Sequence, residues 1–220
     1  MPRAALVADD IAAFRRRAVV AATRLFAEHG YAAVTMRGLG AALGVSAMTS
    51  YRYLAGKEEL FVLVRAEAFR RFADVLEAAL AAAGDDPIAR LGSLSDAYVG
   101  FGLEQPDAYR IMFELRGLAP AAGPAVTELA AQSRRAFGCL QRSVSAAVAS
   151  GDLEGDPKTL AHLFWAGTHG LVSLHLAGQL GMGRSIRQLA RAQFATATRT
   201  AGRPPAAPRN RSPAPHQRSR

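Results

Sequence analysis

The sequence predicts an all-α protein of nine helices, three short ones near the N-terminus followed by six that are mostly longer. Half of the 220 residues are hydrophobic, with alanine and leucine dominant and valine and isoleucine sparse, a composition that favours helices. No segment keeps the alternation of apolar and polar residues that a half-buried strand requires. A chain of this length can bury a substantial core.

The first three helices are predicted from their caps. Asp9 or Asp10 caps the first helix, and His29-Gly30 ends it, because glycine readily adopts the left-handed conformation. Thr35 caps a second helix that ends at Leu43. Gly44 then turns the chain, and Ser46 caps a third helix that reaches about Tyr53. The apolar face of the first helix comprises Ile11, Phe14, Ala18, Ala21 and Leu25.

Six further helices follow. Lys57-Glu58-Glu59 opens a long fourth helix, and Asp85 or Asp86 caps a fifth with Pro87 at its first position. Pro106 starts a short sixth helix, and a loop at 117–124 precedes a long seventh helix that reaches about Ser150. The eighth helix runs to Leu180, and the ninth ends near Thr200. The core stripe of the fourth helix comprises Phe61, Val64, Ala68, Phe72, Val75 and Ala79.

The charge of the chain is concentrated at its C-terminus. Five arginines and no acidic residues follow residue 200, so residues 1–200 carry only +4 of the formal net charge of +9. Residues 201–220 also hold five prolines and few apolar anchors, which predicts a disordered basic tail. Bulk charge is therefore weak evidence for a nucleic-acid partner.

Cysteine usage and the N-terminal sequence predict a cytoplasmic protein. The single cysteine, Cys139, excludes an intramolecular disulfide and lies in an Ala/Leu-rich helical segment, where a packed thiol is favoured over a reactive one. Charged residues interrupt the N-terminal segment where a signal peptide would be apolar, and no uncharged apolar run approaches the roughly 20 residues of a membrane span.

Helices two and three have the lengths and the intervening glycine of a helix-turn-helix. Leu39, Leu43 and Val45 can fill the angle between the two helices. In such a motif the second helix enters the major groove of DNA, and helix N-termini and basic side chains face phosphates. The alternative is three capped helices whose charges are simply solvated.

Residues 24–61, RLFAEHGYAAVTMRGLGAALGVSAMTSYRYLAGKEELF, resemble the DNA-binding region of TetR-family transcriptional regulators. The resemblance includes a helix ending in Gly-Tyr, a Thr-x-Arg step and a Gly-Val-Ser turn. Two later segments, 109–115 and 164–178, resemble the subgroup named for its Trp-His-Gly motif, which Trp165, His169 and Gly170 carry here. The resemblance implies a DNA-binding domain at 1–55 and an effector-binding and dimerisation domain at 56–200.

The same resemblance implies roles for individual residues. Thr35, Tyr51 and Lys57 correspond to phosphate contacts, whereas Arg37, Ala47, Met48 and Thr49 fall where the family meets base edges. Ala47 and Met48 offer only apolar contact, for instance with a thymine methyl group, so hydrogen-bonded readout falls to Arg37 and Thr49. The full predicted DNA-binding set is Thr35, Arg37, Ser46, Ala47, Met48, Thr49, Tyr51, Arg52 and Lys57.

The second and third helices depart from the family pattern at three positions. Ser50 stands where a bulky aliphatic residue is usual, which changes the local packing. Gly38 and Gly40 each weaken the second helix by roughly 1 kcal/mol relative to alanine. This composition suggests a helix that tightens when the protein binds DNA.

The eighth helix carries apolar residues on two faces. One stripe predicts a dimer interface together with the ninth helix, and a second stripe holds Leu163, Ala166, Gly170 and Ala177. The alternative is a monomer with a fully buried central helix. The predicted interface comprises Leu160, Phe164, Gly167, Leu171, Leu174, Gly178, Ile186, Leu189 and Phe194.

The large domain also suggests a small-molecule site. His162, His169 and His175 are separated by seven and six residues and lack the i, i+4 spacing of a helical zinc site, so no metal or other cofactor is expected. His169 is more simply a hydrogen-bonded core residue. The predicted ligand contacts are Tyr98, Phe101, Tyr109, Met112, Phe113, Trp165 and His169.

These patterns favour a homodimeric DNA-binding repressor that a small-molecule effector releases from a palindromic operator. A constitutive or architectural DNA-binding protein of the same fold, without an effector, is the alternative. An enzyme is not expected, because the sequence has no Gly-rich phosphate loop, no Gly-x-Ser-x-Gly elbow and no cysteine signature.

Overall fold

The computed structural model describes residues 8–115, 122–181 and 183–202. Within these ranges the chain forms nine α-helices and no strand, which confirms the predicted fold class. The helices are α1 (Ala8–Ala33), α2 (Met36–Leu43), α3 (Ala47–Tyr53), α4 (Lys57–Ala82), α5 (Pro87–Glu104), α6 (Pro106–Phe113), α7 (Pro124–Ala149), α8 (Pro157–Leu176) and α9 (Ile186–Ala201). None of the helices in these ranges combines the length and the apolar character that a bilayer-spanning segment requires.

An N-terminal core joins α1, α2 and the start of α4. Phe26, Leu39 and Phe61 are almost completely buried there, and the rings of Phe26 and Phe61 meet edge to face at 5.1 Å between centroids. Each fully buried side chain of this size contributes about 1.5–3 kcal/mol relative to its exposed form. Because Leu60, Phe61 and Val64 belong to this core, the first two turns of α4 pack with the helix-turn-helix; the division at residue 55 stays a prediction.

A second core lies among the longer helices. α4 and α7 make the most extensive helix–helix contact in the described chain, and α5, α6 and α8 pack around them. Phe72 is central, since its ring contacts those of Tyr98 and Phe101 at 5.1 and 5.0 Å. Cys139 is fully buried in this core, as the sequence predicted, and burial raises the pKa of its thiol.

The predicted caps are confirmed at three helices. Thr35, Ser46 and Asp86 each accept a backbone N–H of the following turn, and Gly44 adopts the left-handed conformation (φ 69°, ψ 29°) that ends α2. Gly30 interrupts α1 with φ 72° and ψ 170°, after which the helix resumes for one turn to Ala33.

Two predicted helix features are wrong. The eighth helix ends at Leu176 rather than Leu180, because Gly178 has φ 72° and the N–H groups of Gly178 and Gln179 return to His175 and Leu174 in a helix-terminating motif. Gly178 therefore lies beyond the helix. The predicted face of α1 is wrong at Ile11, which is half-buried and outside the described core; Phe14 and Ala18 are buried in that core, and the half-buried Ala21 and Leu25 pack against it.

The predicted loop at 117–124 falls mostly outside the described residues, and the basic tail lies outside them from residue 203 onward.

Candidate nucleic-acid interface and ligand cavity

The helix-turn-helix unit (36–53) is held by local hydrogen bonds at its turn. The Gly44 N–H donates to Ala41 and Gly40 carbonyls, and the Val45 N–H donates to the Gly40 carbonyl at 2.8 Å. A Cβ added at Gly40 would lie 2.8 Å from the Val45 carbonyl oxygen and 3.2 Å from the Ala47 nitrogen. Gly40 is thus required for the close approach of α2 to the turn, a role that the sequence did not reveal.

The outward face of this unit carries the residues predicted to meet DNA. Met48 and Tyr51 are 69% and 53% exposed, and Arg37 and Arg52 are also exposed. Met48 and Tyr51 are three residues apart on α3 and therefore lie on one face of the helix, which makes this face a candidate contact surface. Thr49 is half-buried, and its hydroxyl lies 2.9 Å from that of Ser46, whose oxygen also accepts the Thr49 N–H.

Lys57 is fixed against the end of α1. Its Nζ donates to the carbonyls of Tyr31 at 3.1 Å and Ala32 at 3.3 Å, and it lies 4.4 Å from the centre of the Tyr31 ring. The ammonium group is therefore positioned at one place beside the helix-turn-helix unit. The sequence indicated a cation here but not the carbonyls that hold it, because they lie 26 and 25 residues earlier in the chain.

Two residues that sequence reasoning missed fasten the unit to the rest of the domain. Arg15 donates to the Tyr53 carbonyl at 3.1 Å and pairs with Glu59 at 2.9 Å. The other Glu59 oxygen accepts the Ala55 N–H at 2.6 Å, and the rings of Phe14 and Tyr53 stack at 4.2 Å. The C-terminal end of α3 is therefore held by both α1 and α4.

Ser50 occupies the position at which α3 departs from the family pattern. The residue is completely buried, and its hydroxyl has no hydrogen-bond partner in the part of the chain that the structure describes. A buried hydroxyl without a partner costs about 1–3 kcal/mol of stability.

A cavity of about 430 Å³ lies in the large domain between α4, α6, α7 and α8. Its volume falls within the range of small-molecule sites. Four of the predicted ligand residues line it, namely Tyr98, Met112, Phe113 and Trp165. The remaining wall, which sequence reasoning missed, is formed by Arg65, Phe69, Phe72, Leu76, Ser133, Ala136, Phe137, Leu140 and His162. On α4 and α7 these wall residues recur every three or four positions, which predicts that they are buried. The spacing does not indicate that a cavity lies between the two helices.

The other three predicted ligand residues do not line this cavity. Phe101 is buried in the core, and Tyr109 and His169 form a hydrogen-bonded group with Tyr98 behind the cavity wall. Nδ1 of His169 lies 2.6 Å from the Tyr109 hydroxyl and 3.1 Å from the Tyr98 hydroxyl. The prediction of His169 as a hydrogen-bonded core residue is confirmed.

Burial shifts the pKa values of Tyr98, Tyr109 and His169 in the direction that favours their uncharged forms. It raises the pKa of Tyr109 to about 12 and that of Tyr98 well above its usual value, so both phenols keep their protons. Burial lowers the pKa of His169, although the nearby Glu114 carboxylate opposes the shift. A neutral His169 with an unprotonated Nδ1 can accept a hydrogen bond from one of the two phenols.

The α8 helix presents an apolar face to the outside of the subunit. Leu163 and Leu174 are 62% and 46% exposed, and the small residues Ala166 and Gly170 lie between them on the same face. By contrast, Phe164 and Ile186 of the predicted interface are buried within the chain itself, and Gly167 leaves room for the Gln193 side chain of α9. Of the other predicted interface residues, Leu160, Leu171, Leu189 and Phe194 are half-buried.

Comparison with known families matches both parts of the chain. Residues 18–64 match the model described as bacterial regulatory proteins, tetR family. Residues 91–197 match the model described as tetracyclin repressor-like, C-terminal domain. An HTH-type transcriptional regulator of Mycobacterium tuberculosis is 25% identical over 189 residues, which cover 72% of this chain and 78% of that protein.

Solved structures share the fold. A bacterial regulatory protein in the tetR family from Rhodococcus RHA1 has a TM-score of 0.66 and 26% identity, covering 86% of this chain and 96% of its own. A protein of unknown function from Rhodococcus sp. RHA1 has a TM-score of 0.74 and 23% identity, covering 92% of this chain and 100% of its own. With the helix-turn-helix unit in place and both family models matched, the chain belongs to the TetR family of DNA-binding transcriptional regulators.

Proposed function

We propose that the protein is a homodimeric repressor that a small-molecule effector releases from its operator. The observation that carries this proposal is the position of α6 between the two cores. Ile111 is fully buried in the N-terminal core, while the next two residues, Met112 and Phe113, line the cavity. A ligand that moves Met112 or Phe113 therefore also displaces a side chain packed against the helices that carry the DNA-contacting unit.

Hydrogen bonds tie α6 into the large domain as well. Arg110 donates to the Leu176 carbonyl at the end of α8, and Arg65 of α4 donates to the Met112 carbonyl at 3.0 Å. An effector shifts the DNA-binding equilibrium only by its differential affinity for the two conformations. The short α6 helix is the element whose two positions such a ligand would distinguish.

The exposed face of α8 supports the dimer. Leu163, Ala166, Gly170, Leu174 and Ala177 follow helical spacing, and all but the half-buried Gly170 are exposed in the single chain. Two such faces related by a two-fold axis bury each other, and small residues allow the helices to approach closely. A dimer also places two recognition helices at half-sites about 34 Å apart, or a multiple of that distance.

We assign α3 to the major groove, with Arg37 and Thr49 reading bases and Met48 contacting apolar base edges. Thr35, Tyr51 and Lys57 contact phosphates, and Ser46 and Arg52 complete the surface. The exposure of Met48 and Tyr51 and the fixed position of the Lys57 ammonium support this assignment. The Trp-His-Gly subgroup stays a prediction.

Selection of bound duplexes from random DNA tests the DNA-binding part of the proposal. We expect a palindromic consensus, with Lys57→Ala weakening all sequences similarly and reducing the salt dependence, and Arg37→Ala relaxing the sequence preference. Unchanged binding by both variants would refute the assigned surface.

Operator binding in the presence of cavity ligands tests the release. Trp165, the chain's only tryptophan, lines the cavity, so its fluorescence reports occupancy. A repressor of this kind loses operator affinity as Trp165 emission changes. Ligands that alter the emission but leave operator affinity unchanged would favour the constitutive DNA-binding protein instead.

A further inference from the structure

The cavity has apolar and aromatic walls but contains one permanent positive charge. Phe69, Phe72, Phe113, Phe137 and Trp165 line it together with Arg65. His162 also lines the cavity, but its Nδ1 lies 2.7 Å from the Lys158 carbonyl of its own helix and is occupied by that contact. Arg65 is therefore the group that sets the charge of the site.

The guanidinium of Arg65 is poorly satisfied by the protein. Nη2 donates to the Met112 carbonyl at 3.0 Å, whereas Nε is buried without an acceptor among the described residues. The Phe61 ring lies 5.8 Å from Cζ. No ion pair within 4.0 Å among the side chains that the structure describes includes Arg65.

Of the other half-buried arginines in the described chain, Arg15, Arg71 and Arg135 have carboxylate partners, whereas Arg90 and Arg110 donate to backbone carbonyls. Arg135 pairs with Asp74 at 2.8 Å and with Glu77, and Arg15 pairs with Glu59 at 2.9 Å. Burial without such a partner lowers the pKa of Arg65, but an arginine stays protonated in proteins. A half-buried cation that lacks a counter-charge carries an uncompensated desolvation cost, which a bound anion would reduce.

We propose that the cavity binds a small monocarboxylate with an apolar body and that its carboxylate pairs with Arg65. This inference rests on the proposed function, because it names the chemical class of the effector. One uncompensated cation matches one negative charge, and the aromatic walls match the apolar body. Since the same guanidinium donates to Met112 of α6, an anion that engages Arg65 acts directly on the contact between α4 and α6.

The test compares each acid with its uncharged amide. Phenylacetate with phenylacetamide and octanoate with octanamide form two pairs, the first with an aromatic body and the second with a straight chain. Binding is measured by Trp165 emission and by calorimetry on the unmodified protein, on Arg65→Met and on Arg134→Gln. Arg134 is an exposed arginine on α7, so its variant removes one positive charge without changing the cavity.

We expect at least one acid to bind the unmodified protein on the order of 10 to 100-fold more tightly than its amide, as a charge-assisted hydrogen bond provides. Arg65→Met should abolish this preference, and Arg134→Gln should retain it. The pair that shows the preference identifies the aromatic or the straight-chain body.

Equal binding of acid and amide, a preference that survives in Arg65→Met, or no binding of either acid would each overturn the inference. If Arg65→Met does not fold, the comparison of acid with amide on the unmodified protein decides alone. Operator binding by the same preparation is measured separately, so a failure of the DNA-binding function is distinguished from a failure of the ligand assignment.

Discussion

Ser50 places a polar hydroxyl at a fully buried position of α3. The side chain is completely buried in α3, and its oxygen has no partner among the described residues. A serine at this position lowers stability, because the hydroxyl loses its hydrogen bonds to water without gaining others.

Ser50→Ala should therefore raise the free energy of unfolding by about 1 kcal/mol, since it removes the buried hydroxyl and leaves the backbone unchanged. Urea denaturation measures the change. Ser143→Ala is the matched control, because the equally buried Ser143 hydroxyl donates to the Cys139 carbonyl at 3.0 Å and its loss should not stabilise the protein. A lower stability for Ser50→Ala would show that the hydroxyl has a partner.

His169 makes the stability of the protein depend on pH. Burial places its pKa in the folded chain below the unfolded value of about 6.5, so the folded state disfavours the imidazolium. The contribution of neutral His169 to the free energy of unfolding is fully present above the unfolded pKa, and it is lost as the pH falls from that value toward the folded pKa. Protonation would also remove Nδ1 as an acceptor for Tyr98 and Tyr109.

His169→Gln should reduce the loss of thermal stability between about pH 7.5 and about pH 5.5, because glutamine does not titrate. Melting temperatures at both pH values give the comparison. An unaltered pH dependence in His169→Gln would assign the effect to other groups.

At the scale of single residues, the sequence predicted the contacts between residues that are close to each other in the chain. The caps at Thr35 and Ser46 are set within three residues and were predicted correctly. The partners of Lys57 and Arg65 lie on other helices, and their geometry follows from packing that no local pattern contains. Three cavity residues, Tyr98, Met112 and Phe113, were predicted because aromatic and methionine side chains on the middle helices face inward, and Trp165 was predicted from the Trp-His-Gly segment.

At the scale of elements, α2 contains two glycines with different roles. Both lower its helix propensity, as the sequence indicates. A Cβ at Gly38 would lie 3.4 Å from the Thr35 hydroxyl, an ordinary contact, whereas one at Gly40 would lie 2.8 Å from the Val45 carbonyl oxygen. The low helix propensity of glycine is therefore not needed at Gly38, whereas packing requires a glycine at Gly40.

Gly38→Ala should stabilise the protein by up to about 1 kcal/mol, and Gly40→Ala should destabilise it by about 1–3 kcal/mol because the backbone of the turn must move. Thermal unfolding of the two variants provides the measurement, and each is the control for the other. Hydrogen exchange of α2 in Gly38→Ala, with and without operator, further tests whether the helix tightens on DNA. Equal effects of both substitutions would contradict the packing role of Gly40.

The end of α8 shows how an available signal can be misread. Gly178 stands where a helix-terminating glycine is expected, but its spacing also fits the small-residue stripe, and the sequence alone does not separate these roles. The hydrogen bonds from Gly178 and Gln179 to His175 and Leu174 decide in favour of termination.

At the scale of the whole molecule, the exposed large apolar side chains form two groups. Met48 and Tyr51 lie on the face that we propose contacts DNA, and Leu163 and Leu174 lie on α8; Val20 on α1 is the remaining one in the described chain. Sequence periodicity predicted that α8 buries two faces, and it assigned Phe164 to the dimer interface. Phe164 instead packs on Phe194 inside the subunit. The face of α8 that lies inside the subunit is the one against which α9 packs, and the sequence does not give the position of α9.

Leu163→Glu should convert the dimer to a monomer and weaken operator binding, because an interface of two apolar helix faces would have to bury an unpaired carboxylate. We expect the dimer dissociation constant to rise at least about 100-fold, which analytical ultracentrifugation measures directly. Val20→Glu places the same charge at a position that is 55% exposed on α1, away from the proposed interface, and should leave the dimer intact. If Leu163→Glu remains dimeric while Val20→Glu dissociates, the two-fold contact lies on the N-terminal helices, and the spacing of the two DNA-contacting units must then be set there.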